Sequence, residues 1–152
     1  MAANPEKVAQ MVAVNLTGAL HFTQTVQALL RPGGQLALTG SVAGYTGLPH
    51  GQIYSSAKAG AINLAETLRA ELAGQTDVRL INPGFAQSRM TAQIDFDMSF
   101  IIRPDRAARD IIRGLDRRGF EVHFPLPLEW ALKLLHHLPC WVLIPITKRL
   151  VR

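Results

Sequence analysis

Apolar positions along the chain change period several times, and each change marks a new element. Asn4-Pro5-Glu6 joins a helix-capping residue, a proline suited to the first helical position and an acid in the first turn. Val8, Met11, Val12, Leu16, Ala19, Leu20 and Phe22 follow at mostly helical spacing, predicting a helix to about Leu30, where Arg31-Pro32-Gly33-Gly34 stops it. Asn15 shares the side of Val8, Val12 and Ala19, so its amide points into a helix contact as a hydrogen-bonded polar residue. Gln35 to Ser41 is short and apolar, a buried strand with Thr39, Gly40 and Ser41 at its C-terminal end. Val42 to His50 reads as a loop. From Gly51 to about Ala73, the small residues Ala57, Ala59, Gly60, Ala61 and Ala65 alternate with Ile62, Leu64 and Leu68, which describes a helix with one smooth face.

Val78 to Ile81 is a second apolar strand, closed by Asn82-Pro83-Gly84. Phe85 to Phe100 has no sustained period and is expected to be a loop or broken helix. Pro104 to about Arg118 returns to helix, with Ala107, Ala108, Ile111, Ile112 and Leu115 expected inside. Phe120 to Phe124 alternates like an outer strand. From Pro125 onward one or two short helices are expected, broken at Pro139 and Pro145. Alternating helix and strand is the rhythm of an α/β fold with a parallel sheet. Ligands gather at the C-terminal strand ends of such sheets. Ser41 and Pro83-Gly84 fall at two of those ends, with Tyr54 close to the first.

Composition adds limits. With 152 residues, 48% of them hydrophobic, one domain with a sizeable core is expected. The net charge of +5 is C-terminal: residues 1–100 hold six Lys/Arg against six Asp/Glu, residues 101–152 ten against five. From Arg103 to Arg118 the basic residues alternate with acids as on a solvated helix face, so no nucleic-acid partner is expected. Cys140 is the single cysteine; beside Trp141 it is read as packing, and an intracellular, cytoplasmic setting is expected. No signal peptide or spanning segment is recognised. His136 and His137 face different sides of a helix, and His21, His50 and His123 share no ligand spacing with them, so no metal is expected. His50, in the loop before Tyr54, is placed near the substrate opening.

Tyr54 and Lys58, four residues apart, rise from one helix face about 6 Å apart along its axis. An ammonium beside a phenol favours the phenolate and brings its proton exchange toward neutral pH. Ser41, thirteen residues before Tyr54, could donate a hydrogen bond to the same substrate oxygen. Together they form an acid/base site for a carbonyl–alcohol pair. Four segments, Val14-Asn15-Leu16-Thr17-Gly18, Gln35 to Ser41, Tyr54-Ser55-Ser56-Ala57-Lys58-Ala59-Gly60 and Asn82-Pro83-Gly84-Phe85, resemble the short-chain dehydrogenase/reductase family in order and spacing across roughly residues 5–124.

The resemblance implies a Rossmann-like parallel sheet of about three strands with flanking helices, and an NAD(P)-dependent oxidoreductase acting on a small-molecule carbonyl or alcohol. It implies that Tyr54 is the general acid or base. Lys58 would lower the Tyr54 pKa and hold the cofactor ribose, Ser41 would position the carbonyl, and Asn15 would hold a proton-relaying water. Pro83, Gly84 and Phe85 match the turn that meets the nicotinamide, and Ser88 stands where the family more often has threonine. A homo-oligomer through the Asn15 and Tyr54 helices is implied too. The family's first half, with its glycine-rich pyrophosphate turn and the residue that selects NAD or NADP, has no counterpart here. The expectation is therefore the C-terminal part of a longer enzyme, with residues 1–124 catalytic. The alternative is an inactive remnant serving as a dimerisation module. Residues 125–152 form an apolar and basic extension with two readings, a lid over a hydrophobic, lipid-like substrate or a helix lying on an anionic membrane surface.

Overall fold

Asn4 caps the first helix with its side chain, Oδ1 accepting from the Glu6 N–H at 2.9 Å, and Pro5 takes the first helical position. The computed structural model describes residues 4–88, 91 and 101–149, so most of the aperiodic stretch between Phe85 and Phe100 lies outside the described residues. Helix α1 (Pro5–Val12) runs through a wide π-turn at Ala13–Thr17 into α2 (Gly18–Gln27). The expected single long helix thus forms with one widened turn, centred on Asn15. Gly33, at φ 73, turns the chain into β1 (Gln35–Thr39). Helix α3 (Gln52–Glu71), β2 (Asp77–Pro83), α4 (Pro104–Leu115), β3 (Glu121–Phe124), α5 (Leu126–His136) and α6 (Cys140–Arg149) follow.

The three strands make one parallel sheet in the order β1-β2-β3. Thr39 pairs with Ile81 and Pro83 with Phe124, so the strand ends that carry Ser41 and Gly84 lie side by side. One sheet face presents Leu36, Leu38, Val78 and Leu80 to Ala65, Leu68 and Leu72. On the other, Ile81, Val122 and Phe124 meet Ile102 and the α4 residues Ala107, Ile111 and Leu115. Ile112, expected inside, is exposed. Successive helix residues lie 100° apart, and a sheet this narrow accepts only the 107–111–115 row. Gly114 lets α4 come down on β3, since a Cβ there would lie 2.3 Å from Val122 Cγ1.

Two side chains tie α4 to the sheet. Buried Arg79 of β2 donates to the Gly114 carbonyl at 2.7 Å and to the Leu115 carbonyl at 3.4 Å, and Gln35 of β1 reaches the same Leu115 oxygen at 3.3 Å. The last carbonyls of a helix have no partner within it, and these donors supply one. Among the described residues β1 pairs only with β2, and its Ala37 and Thr39 side chains are exposed. Arg103, Arg106 and Arg109 pair with Asp105 and Asp110 on the outer side of α4, as a solvated face should.

Two sequence expectations for the C-terminal segment change. The chain breaks at Pro139 but α6 passes through Pro145. The proline removes a donor to the carbonyl of Trp141, a residue on the exposed side where water can replace it. Cys140 is exposed rather than packed. No described helix is long and apolar enough to cross a membrane.

Candidate active site

Ser41 follows β1 after Gly40 and opens a 3₁₀ turn, Val42–Gly44, its Oγ accepting from the Ala43 N–H at 3.2 Å. Two glycines let this turn settle where it does. A Cβ at Gly40 would come within 2.1 Å of Asn82 Oδ1, and one at Gly44 within 2.8 Å of the Lys58 carbonyl carbon and 2.9 Å of the Ala59 nitrogen. The Ser41 turn therefore lies directly against the backbone of α3 at Lys58. The helix brings Tyr54 and Lys58 to the same end of the sheet, with Lys58 Nζ 5.9 Å from the centre of the Tyr54 ring.

Lys58 is buried, and its ammonium donates to the Thr39 carbonyl at 2.9 Å. Burial disfavours the charged form and lowers its pKa below the usual lysine value. Asn15 shares a cleft of about 420 Å³ with Lys58, bounded by Val14, Gly18, Phe22 and the free side of β1 at Ala37 and Thr39. The widened turn explains its placement: the Gly18 N–H bonds back five residues to the Ala13 carbonyl, and Asn15 Nδ2 donates to the Met11 carbonyl at 3.0 Å. A Cβ at Gly18 would sit 2.8 Å from that Ala13 oxygen. Such π-turns recur at functional positions because they reorient one side chain without ending the helix. The sequence contains the signal, an Asn-Leu-Thr-Gly run inside a helix, but periodicity alone does not show the turn.

Pro83 ends β2, and Gly84 continues its ladder by donating to the Phe124 carbonyl at 2.7 Å. The Phe85 carbonyl accepts from the Ile102 N–H at 3.0 Å, holding the start of the following loop against the segment before α4. Ser88 is exposed, its backbone N–H donating to Thr91 Oγ1 at 2.8 Å. The structure thus gathers Asn15, Ser41, Tyr54 and Lys58 around the end of β1, with Pro83 and Gly84 at the end of the neighbouring strand. Phe85 and Ser88 follow that turn in the chain. His50 is exposed, with φ 65, in the loop just before α3.

Sequence reasoning missed a polar cluster behind the Pro83-Gly84 turn. Glu121 accepts from Asn82 Nδ2 at 2.5 Å, from Lys133 Nζ at 2.5 Å and from the Tyr45 hydroxyl. Lys133 also contacts the wholly buried Glu129 at 2.6 Å, and His123 Nδ1 lies 3.0 Å from the same carboxylate. Burial opposes the Glu121 charge, but the Lys133, Tyr45 and Asn82 hydrogen bonds together with the Lys133 charge hold its pKa below the ordinary carboxylate range. Burial first, then the Glu121 hydrogen bond and nearby negative charge, push Tyr45 far above the ordinary phenol value, so it stays protonated. Although Glu121, His123 and Glu129 place ligand atoms within 4.8 Å of one another, the Lys133 ammonium already sits against both carboxylates as their counter-ion. The spacing of Glu129 and Lys133 on a helix was the available signal; it reads equally well as a surface pair.

Comparison with known proteins agrees with this geometry. Residues 1–99 match the family model described as short chain dehydrogenase. An uncharacterized oxidoreductase of Myxococcus xanthus is 35% identical over 138 residues, covering 88% of this chain and 54% of its own length. A short chain dehydrogenase from Burkholderia cenocepacia, solved in complex with NADP, superposes with a TM-score of 0.74 at 23% identity, covering 90% of this chain and 57% of that one. A short chain dehydrogenase/reductase from Burkholderia phymatum, solved in complex with NAD, gives 0.74 at 18% identity, with 88% and 59% covered. The chain thus spans a little over half the length of each of these three proteins. With the family model matching residues 1–99, about two-thirds of the chain, the chain belongs to the short-chain dehydrogenase family.

Proposed function

We propose that this chain carries the proton-transfer side of an NAD(P)-dependent oxidoreductase that interconverts a carbonyl and an alcohol, residues 1–124 forming the catalytic part. The observation that carries the reading is Lys58: a buried ammonium held on the end of β1, 5.9 Å from the Tyr54 ring and in one cleft with Asn15. A lysine costs several kcal/mol to bury unless the charge is used, and a neighbouring phenol is the group that gains from it.

In this mechanism Ser41 Oγ donates to the substrate oxygen and Tyr54 gives that oxygen a proton during reduction, or takes it during oxidation. Lys58 sets its ammonium beside the Tyr54 ring, and Asn15, in the same cleft, holds a water that relays protons to Lys58. The nicotinamide, when bound, supplies or accepts the hydride. The residues present fit the ribose-nicotinamide end of that cofactor: a buried lysine and a phenol can bind a ribose diol, and Pro83-Gly84 and Phe85, with Ser88 further along, begin the loop beside it. The glycines before α3, Gly40, Gly44 and Gly47, belong to the loop that carries Ser41 and lack the Gly-x-x-x-Gly-x-Gly spacing of a pyrophosphate turn. The choice between NAD and NADP is left to residues outside this constellation. A hydrophobic substrate suits the apolar segment that follows β3, and the exposed Val14 and Phe22 on the Asn15 helix support association of two copies there.

The test is to purify the protein in the length in which cells make it, follow nicotinamide absorbance with a panel of carbonyls and alcohols, and repeat with Tyr54→Phe. Turnover should fall at least about 100-fold. Unchanged turnover in Tyr54→Phe would remove the assignment.

A further inference from the structure

Helix α5 buries Leu132, but it also buries charge and leaves a large apolar stripe outside. Its charged residues Glu129 and Lys133 turn inward to Glu121, with Glu129 at 0% exposure, while Leu126, Trp130 and Leu134 face outward at 54%, 64% and 69%. These three recur every fourth residue and so form one stripe. Helix α6, which follows after three residues, exposes Trp141 at 79% and Ile144 at 62%, and Lys148 and Arg149 follow, exposed, in its last turn. A helix on the surface of a water-soluble domain keeps its charges outward and seldom exposes two leucines and a tryptophan in one stripe. The outer face of this pair is therefore made for a medium less polar than water.

Charge identifies the medium. Between Leu126 and Arg149 the one acid is Glu129, and it is buried against Lys133. What the segment shows to the outside is apolar surface ending in positive charge. A second copy docking on the same stripe would bring its own Lys148 and Arg149, with no acid on the stripe to receive them. Anionic lipid headgroups supply that partner, and the acyl region beneath them takes the aliphatic and indole side chains. At 11 and 10 residues, α5 and α6 are far too short to span a bilayer and would lie in its surface plane.

We propose that the outer face of α5 and α6 is a docking surface for anionic membranes, inserted to about 5–10 Å, the headgroup-acyl boundary. This holds whether or not the chain transfers hydride. A lid closed over substrate would instead turn Trp130 and Leu134 inward.

The test uses the protein in the length in which cells make it, with vesicles of phosphatidylcholine alone or mixed with phosphatidylglycerol. Co-sedimentation with the anionic vesicles, reversed by high salt, is expected. Both tryptophans of the sequence are exposed on α5 and α6, so their emission should shift to the blue on binding. The double variant Trp130→Gln, Leu134→Gln should lose about tenfold or more of the vesicle partitioning. Lys148→Gln with Arg149→Gln should reduce partitioning into anionic vesicles about tenfold and leave that into phosphatidylcholine unchanged. All four side chains are exposed, and far-UV circular dichroism checks that the variants stay folded. Absence of vesicle binding by the folded protein would overturn the proposal. So would a dimer, already blue-shifted without lipid, that becomes monomeric in the Trp130→Gln, Leu134→Gln variant; the stripe would then be a self-association face.

Discussion

The Lys58 ammonium donates to the carbonyl of Thr39 at 2.9 Å, so the helix that carries Tyr54 is fastened to the last residue of the strand that leads into Ser41. One bond thereby sets the relation between the two elements that bring serine and tyrosine together. Lys58→Met removes both the bond and the charge. In the intact enzyme kcat/KM is expected to fall by about 100-fold or more, and Lys58→Arg should not restore it, since a planar guanidinium cannot occupy the buried site of a compact ammonium. Steady-state kinetics of the two variants check this, with nicotinamide turnover as the readout.

Gly44→Ala should act at the same junction through sterics. The new methyl would press on the α3 backbone at Lys58 and Ala59, which cannot retreat like a flexible side chain. A loss of about 1–3 kcal/mol of stability is expected, measured as a shift in denaturant midpoint. Gly47→Ala, three residues on with open space around it, is the control and should be nearly neutral.

Gly18→Ala tests the widened turn. A methyl group 2.8 Å from the Ala13 oxygen cannot coexist with the present backbone, so the turn must tighten and carry Asn15 out of the cleft. Activity should drop toward that of Asn15→Ala, and the two changes combined should cost little more than either alone. Comparing kcat/KM of the double variant with both single variants measures that coupling.

Acid stability should depend on Glu121. Its folded-state pKa lies below the unfolded value, so the stabilisation is present above the unfolded pKa and is lost as pH falls through the folded one, below the ordinary glutamate range. Lys133 has the opposite sense. Burial lowers its pKa, but the hydrogen bonds and charges of Glu121 and Glu129 outweigh that and raise it, so its contribution is present below the unfolded lysine pKa and lost above it. Glu121→Gln should lower stability at neutral pH by roughly 1–3 kcal/mol and flatten the acid limb of the stability curve. Thermal melts of both proteins across the acid range give the comparison.

Much of this was legible in the residue pattern because the signals are local. Pro5 and Asn4, the glycines around Gln35 to Ser41 and the four-residue spacing of Tyr54 and Lys58 each act within one turn or one strand. What was hidden depends on partners far along the chain. Glu129 and Lys133 resemble a solvated pair until Glu121, on a different element, is placed beside them. Ile112 has the same character as Ile111, and only the width of the sheet decides which of them is covered. Pro145 breaks helices in general, but this helix keeps the affected carbonyl on its wet side. The π-turn at Asn15 was not visible in the pattern, since apolar spacing tolerates one extra residue in a turn without a visible change.

The grip of Arg79 and Gln35 on the end of α4 bears on how the molecule comes apart. The carbonyls of Gly114 and Leu115 are held by side chains rooted in β2 and β1, so the last turn of α4 cannot fray while those strands remain in place. Helix and central strand should open as one cooperative unit. In native-state hydrogen exchange, the amides of α4 should therefore exchange with the same free energy as those of β2, and Arg79→Met should uncouple them, leaving the helix to exchange first.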